Sequence, residues 1–272
     1  MSDAAIRVRW QQLSERRRTA LIPYLTAGYP TRDASLSALR MVADCGADFV
    51  EVGIPFTDPL ADGPVIQRSS HVALQQGMSV KGVLELVREA ALEIPVIAFG
   101  YLNPVLAYGL PRFLEEAAAA GVAGLLITDL PRGEDAELER QVRESDLALI
   151  PLVAPTTTDE RLPRVLEDAE GFVYVISRLG VTGAVTSLDG GVESAVGRVR
   201  RATRLPVAVG FGIASGEQAA TAARYADGVV VGSALVRRLD DGVDAARDLM
   251  NELRGALKVG AAVAQAARDE AD

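Results

Sequence analysis

Three carboxylates mark one short stretch of this sequence, Phe49 to Pro64, FVEVGIPFTDPLADGP. Phe49 to Ile54 is apolar and β-branched apart from Glu51, and it reads as a strand. Strand side chains alternate between two faces. Phe49, Glu51 and Gly53 therefore share one face, and Val50, Val52 and Ile54 share the other. The aliphatic face suits packing under helices. The other face carries a carboxylate into a buried strand, where a charge must be paired, neutralised or put to use. Pro55 ends the strand, and the loop to Pro64 adds Asp58 and Asp62. A buried Glu followed by two loop carboxylates points to general acid and base chemistry at a strand end.

Such residues need a scaffold, and the rest of the chain supplies a repeating one. Ala4 to Arg17 reads as an amphipathic helix. After it, short apolar strands alternate with helices rich in Ala, Leu, Arg and Glu. Eight strands are expected, at Ala20–Thr26, Phe49–Ile54, Pro95–Tyr101, Gly124–Thr128, Ala148–Val153, Phe172–Ser177, Pro206–Gly210 and Gly228–Gly232. Helices are expected after Asp33, Ser79, Pro111, Gly133, Thr158, Val192 and Ser215, with a last one from about Asp240 through the Ala-rich tail. Thr31 with Asp33, Thr158-Asp159-Glu160, and Ser215 before Glu217 are helix-start chemistry. Eight strand-then-helix units fit a (β/α)₈ barrel. A doubly wound open sheet would more often carry a glycine-rich phosphate turn after its first strand, which ThrAlaGlyTyrPro does not provide. With no linker or composition shift, residues 1–272 are expected to form one barrel domain, with residues 1–18 as an added N-terminal helix.

Barrel chemistry sits at the C-terminal ends of strands. Those positions hold Tyr24 and Thr26; Glu51, Asp58 and Asp62; Tyr101 and Asn103; Asp129; Tyr174 and the loop Ser177–Gly191; Gly210-Phe211-Gly212; and Gly232-Ser233. The last two clusters run into helices, whose first N–H groups can hold phosphate without a lysine. Gly183 could add a donor. Glycines used only for tight turns would explain either cluster alone, but both fall where barrels bind phosphate. The third glycine of a dinucleotide fingerprint is missing. Arg178 to Ala184, with Gly180 and Gly183 around Val-Thr, is a candidate lid, or an ordinary surface loop.

The composition excludes several chemistries. Net charge is −9 and pI near 4.8, against a nucleic-acid surface. The two lysines, Lys81 and Lys258, lie in helices, so a Schiff-base mechanism lacks its nucleophile. One histidine, His71, and one cysteine, Cys45, do not make a zinc site. Asp58 and Asp62 alone are a poor magnesium set. There is no apolar run long enough to span a membrane and no signal-peptide core, and the lone cysteine fits a reducing, cytoplasmic setting.

Seven stretches together resemble the tryptophan synthase α subunit family: PYLTAGYP (23–30), EVGIPFTDPLADGPVIQ (51–67), YLNPVLAYG (101–109), ITDLP (127–131), SRLGVTGA (177–184), PVAVGFGI (206–213) and GVVVGSALV (228–236). The resemblance implies a (β/α)₈ barrel with an extra N-terminal helix. It implies cleavage of indole-3-glycerol phosphate to indole and glyceraldehyde 3-phosphate, in a carbon–carbon lyase step of tryptophan biosynthesis. No cofactor is implied in this chain; pyridoxal phosphate is expected in a partner β subunit of an α2β2 assembly. By the resemblance Glu51 is the acid/base carboxylate and Asp62 the one that contacts indole. Tyr174 lines the indole pocket, Tyr24 stands where the family often has Phe, and Thr182 is the lid residue that bonds Asp62. Tyr101 and Phe211 are expected beside the substrate. Gly183, Gly212, Gly232 and Ser233 match a phosphate cradle, and Asp58, Asn103 and Pro104 match loops facing the partner. Val185 and Leu188-Asp189-Gly190-Gly191 depart from the usual lid. Three alternatives stand beside this reading: a standalone lyase releasing free indole, another phosphate-binding barrel, and an inactive barrel that only activates a partner.

Overall fold

The structure, a computed structural model, describes residues 4–130, 133, 135–176, 188–210 and 212–269. Its strands are β1 Ala20–Thr26, β2 Val50–Gly53, β3 Val96–Gly100, β4 Val122–Ile127, β5 Ala148–Leu149, β6 Leu152–Val153, β7 Val173–Ile176, β8 Val207–Gly210 and β9 Gly228–Val231. All pairings are parallel, in the order β5-β4-β3-β2-β1-β9-β8-β7-β6.

The nine strands are the expected eight with the fifth divided at Ile150-Pro151. Proline offers no N–H to a ladder. Before the break, Ile150 N donates to the Leu125 carbonyl at 2.9 Å; after it, Tyr174 N donates to the Pro151 carbonyl at 2.9 Å. One stretch of chain thus pairs first with β4 and then with β7, which brings the two edges of the sheet together. The result is a curled, barrel-like α/β fold.

α1 (Ala4–Glu15) covers the N-terminal end of the strands. It buries Ile6, Trp10 and Leu13. The Trp10 ring lies 4.9 Å from Phe49 and 5.6 Å from Phe172, centroid to centroid. Each buried side chain of this size contributes roughly 1.5–3 kcal/mol by leaving water.

The outer layer is α2 (Arg32–Asp44), α3 (Pro64–Gln75), α4 (Val80–Ala90), α5 (Leu102–Tyr108), α6 (Leu110–Ala120), α7 (Ala136–Arg143), α8 (Leu162–Leu166), α9 (Leu188–Ala202), α10 (Gly216–Ala222), α11 (Ser233–Arg238) and α12 (Val243–Asp269). Thr31, Ser79 and Ser215 cap α2, α4 and α10 through their hydroxyls. Two of these helices, α3 and α5, were not expected from the sequence. α3 starts on Pro64, whose missing N–H costs nothing at a helix start. α9 begins at Leu188, so Leu188-Asp189-Gly190-Gly191 is helix and not the end of a loop. Residues 177–187, with Thr182, Gly183 and Val185, and also Phe211, lie outside the described residues.

Candidate active site

Tyr24 on β1 stands in register with Glu51 on β2. The alternation expected around Glu51 holds: Phe49 joins the aromatic packing under the barrel, and Glu51 points to the same interior two residues further up. Glu51 is 1% exposed, and among the described residues neither carboxylate oxygen has a hydrogen-bond partner. Desolvation therefore favours its neutral form and holds its pKa well above the usual carboxylate range.

Gly53, next on that face, has a specific use. A Cβ there would lie 2.0 Å from the Tyr24 hydroxyl oxygen. Gly210, at the end of β8, stands in the same relation to Tyr174, again at 2.0 Å. Each glycine vacates the volume that a tyrosine hydroxyl fills. Gly210, grouped by sequence with the phosphate cluster, also makes this close approach to Tyr174. The hint available in the sequence was a glycine at an inward strand position.

Asp62 lies in the loop after β2, half-buried. Burial raises its pKa to about 6, and the neighbouring Tyr101 hydroxyl lowers it in part. Three connections hold this loop. Ala61 N donates to the Tyr101 hydroxyl at 3.0 Å. Gln67, on α3, donates its side-chain amide to the Asp62 carbonyl at 2.9 Å and to the Pro59 carbonyl at 3.5 Å. Asp62 N donates to the Pro59 carbonyl at 3.0 Å. Gln67 was not among the residues singled out by sequence, and an amide on an exposed helix face carries no such signal.

Three tyrosines share the space around the two carboxylates. Burial and the charges of Asp62 and Glu51 raise the pKa of Tyr24; burial and Glu51, Tyr24 and Asp62 raise that of Tyr174; burial and Asp62 raise that of Tyr101. All three are neutral phenols that can offer a hydrogen bond. The Tyr24 and Phe99 rings pack edge to face at 5.3 Å, and Phe56 lies 5.2 Å from Tyr101. A flat apolar ring with one polar N–H would suit these walls.

At the far side, Gly212 has φ +87° with open space where a Cβ would stand, and Gly232 precedes Ser233 at the start of α11. Asp129, read as a strand-end candidate, accepts a hydrogen bond from Leu102 N at 2.8 Å and so anchors α5. Asp58 and Asn103 are exposed and Pro104 half-buried, away from the carboxylate pair's interior. His71 is exposed on α3 and borders a groove of about 390 Å³ with Asp58, Leu60 and Gln67. Among the described residues no group of three or more His, Cys, Asp or Glu could hold a metal ion, and no helix is long and apolar enough to cross a membrane.

The family model described as "Tryptophan synthase alpha chain" matches residues 10–266. The chain is 48% identical, over 237 residues, to the tryptophan synthase alpha chain of Acidiphilium cryptum, covering 86% of each. It superposes on tryptophan synthase from M. tuberculosis in its aminoacrylate-bound form with TM-score 0.85 at 38% identity, over 93% of this chain and 99% of that one. The alpha subunit from Legionella pneumophila gives TM-score 0.86 at 34% identity, over 93% and 98%. With a family model matched along nearly its whole length and the carboxylate pair seated in a barrel of the same shape, this chain belongs to the tryptophan synthase alpha chain family.

Proposed function

We propose that this chain cleaves indole-3-glycerol phosphate to indole and glyceraldehyde 3-phosphate, as the alpha partner of a β chain, from one barrel domain. The observation that supports it most is Glu51, a buried carboxyl with no hydrogen-bond partner among the described residues, which shares the Tyr24 and Tyr174 surroundings with a second carboxylate, Asp62, that ionises near pH 6. The carbon–carbon bond breaks by a retro-aldol route. Neutral Glu51 donates a proton to indole C3, which turns the ring into an electron sink. Ionised Asp62 stabilises the positive charge that develops at the ring nitrogen, mainly in the transition state. Glu51, now a carboxylate, takes the proton from the glycerol hydroxyl as the bond breaks. No step in this route needs a cofactor bound by this chain.

Tyr24, Tyr101, Tyr174 and Phe211 would wall the indole, and Thr182 would meet Asp62 from a lid. Gly183, Gly212, Gly232 and Ser233 would hold phosphate through backbone N–H groups. Asp58, Asn103 and Pro104 would face the β chain. Leu60 at 94% exposure, in the loop after β2, and Leu106 at 47%, on α5 after β3, support a partner on that face. The alpha-chain relatives favour this over a standalone lyase. Indole release from indole-3-glycerol phosphate, measured with and without a β chain, tests the reading. Slow release alone and faster release with the partner is expected; no release in either case would overturn it.

A further inference from the structure

Two buried hydroxyls outside the carboxylate pair tie the Asp62 loop to the barrel. Thr26 ends β1 and is 1% exposed; Ser69 lies in α3 and is 0% exposed. Their hydroxyl oxygens are 2.6 Å apart, across a sequence separation of 43. Ser69 Oγ also donates to the Ile66 carbonyl at 2.9 Å, in the first turn of α3. Thr26 Oγ1 in turn lies 3.5 Å from the Tyr24 hydroxyl, the group that fills the space over Gly53. An unbroken line of polar contacts therefore runs from the interior, through Thr26 and Ser69, to the helix start that follows Asp62. Gln67 holds the Asp62 carbonyl from the other face of the same turn.

Neither hydroxyl touches the reacting groups in this arrangement. A buried hydroxyl is kept only where it has a partner, because an unpartnered one is costly. Here each is the other's partner. The pair is also the only described side-chain hydrogen bond joining α3 to β1. We infer that Thr26 and Ser69 are positioning residues for Asp62: their hydroxyl bond holds the first turn of α3, and with it the loop that presents the carboxylate. The inference rests on Asp62 being a reacting-site group. The titratable side chains that Asp62 acts on are Tyr101, Tyr24 and Tyr174. None of them is altered by the substitutions below.

The test uses Ser69→Ala, Thr26→Val and the conservative Thr26→Ser in the full chain. Two readouts are taken: ¹³C NMR titration of the Asp62 carboxyl, and kcat and KM for indole release with the β chain present. In the parent, Asp62 titrates at about 6. In Ser69→Ala and Thr26→Val the loosened loop admits water, and the titration moves down toward the ordinary aspartate value. kcat falls about tenfold or more with KM little changed, since misplacing a reacting group by about 1 Å can cost 10²-fold. Thr26→Ser restores both. Unchanged Asp62 titration in both hydroxyl-less variants overturns the inference. So does unchanged kcat, even if the melting temperature falls, because the pair would then be packing alone. If the parent releases no indole but its Asp62 titration still shifts in the variants, the functional reading fails and the positioning of Asp62 stands.

Discussion

Asp48 and Glu51 sit three residues apart on one stretch of chain, and they are treated in opposite ways. Both are almost fully buried, at 3% and 1% exposure. Asp48, at the N-terminal end of the barrel, is saturated. Its carboxylate accepts from Leu21 N at 2.9 Å, from Arg254 Nη1 and Nη2 at 3.0 and 3.1 Å, and from Arg18 Nη2 at 3.3 Å. Glu51, at the other end, has no partner for either oxygen among the described residues. The same functional group is therefore a structural clamp in one place and a loaded acid in the other. Hydrogen bonds and cations make the charged form comfortable; a partnerless interior does not. The end of a barrel that keeps its carboxylate unsatisfied is the end available for proton transfer.

The largest expected effect is on rate. Glu51→Gln keeps the shape and removes the proton, and indole release should fall at least about 10²–10⁴-fold without any loss of melting temperature. Activity within a few-fold of the parent would end the contrast drawn here. Asp48→Ala should do the reverse. It leaves Arg254 buried without its counter-charge, which costs about 3–5 kcal/mol. Urea unfolding would show this as a lower midpoint, while kcat per folded molecule stays near the parent's.

Asp62→Asn should lower kcat about 10²–10³-fold, as losing one preorganised electrostatic group does, with KM little changed. A raised KM with kcat intact would instead mean uniform binding. The pH profile separates the two carboxyls. Indole release should fall as pH drops through about 6, where Asp62 takes up a proton, and Asp62→Asn should lack that limb. The stability sign is the same for both groups. Each has a raised pKa in the folded chain, so the stability tied to its neutral form is full below the ordinary carboxylate pKa and is lost as pH rises through the folded value. For Asp62 the window runs from roughly 4 to about 6. Glu51→Gln should therefore gain on the parent in melting temperature as pH rises.

The smallest effect tests the walls. Gly53→Ala puts a methyl 2.0 Å from the Tyr24 hydroxyl oxygen, and overpacking of this kind costs about 1–3 kcal/mol. Adding Tyr24→Phe removes the nearest colliding atom but leaves the ring carbons Cζ and Cε2 at 2.5 and 2.8 Å, so thermal melting should recover only in part, whereas Tyr24→Ala should relieve the clash. No difference between Gly53→Ala with Tyr24 and with Tyr24→Ala would mean that the tyrosine does not limit that space.

Much of this was open to reading in the chain itself. Alternation along Phe49–Ile54 was enough to send Glu51 and Gly53 inward, because strand geometry is local. Thr31, Ser79 and Ser215 announced helix starts for the same reason: a cap bonds within its own turn. The strand-and-helix alternation carried the barrel, and the EVGIPFTDPLADGP stretch carried the family. What needed the tertiary structure were relations between elements. α5 is seven residues long, too short for a helical period to show. The division of the fifth strand follows from which neighbours it meets on either side of Pro151. The contact of Gly210 with Tyr174, and the hydrogen bond from Leu102 N to Asp129, likewise join elements that the sequence does not show to be neighbours. Above all, composition shows that Asp48 and Glu51 are both acids in an apolar run. Whether either is satisfied depends on Arg254 and Arg18 arriving at one and nothing arriving at the other. Those partners come from distant parts of the chain, and only the closed barrel brings them to one residue and withholds them from the next.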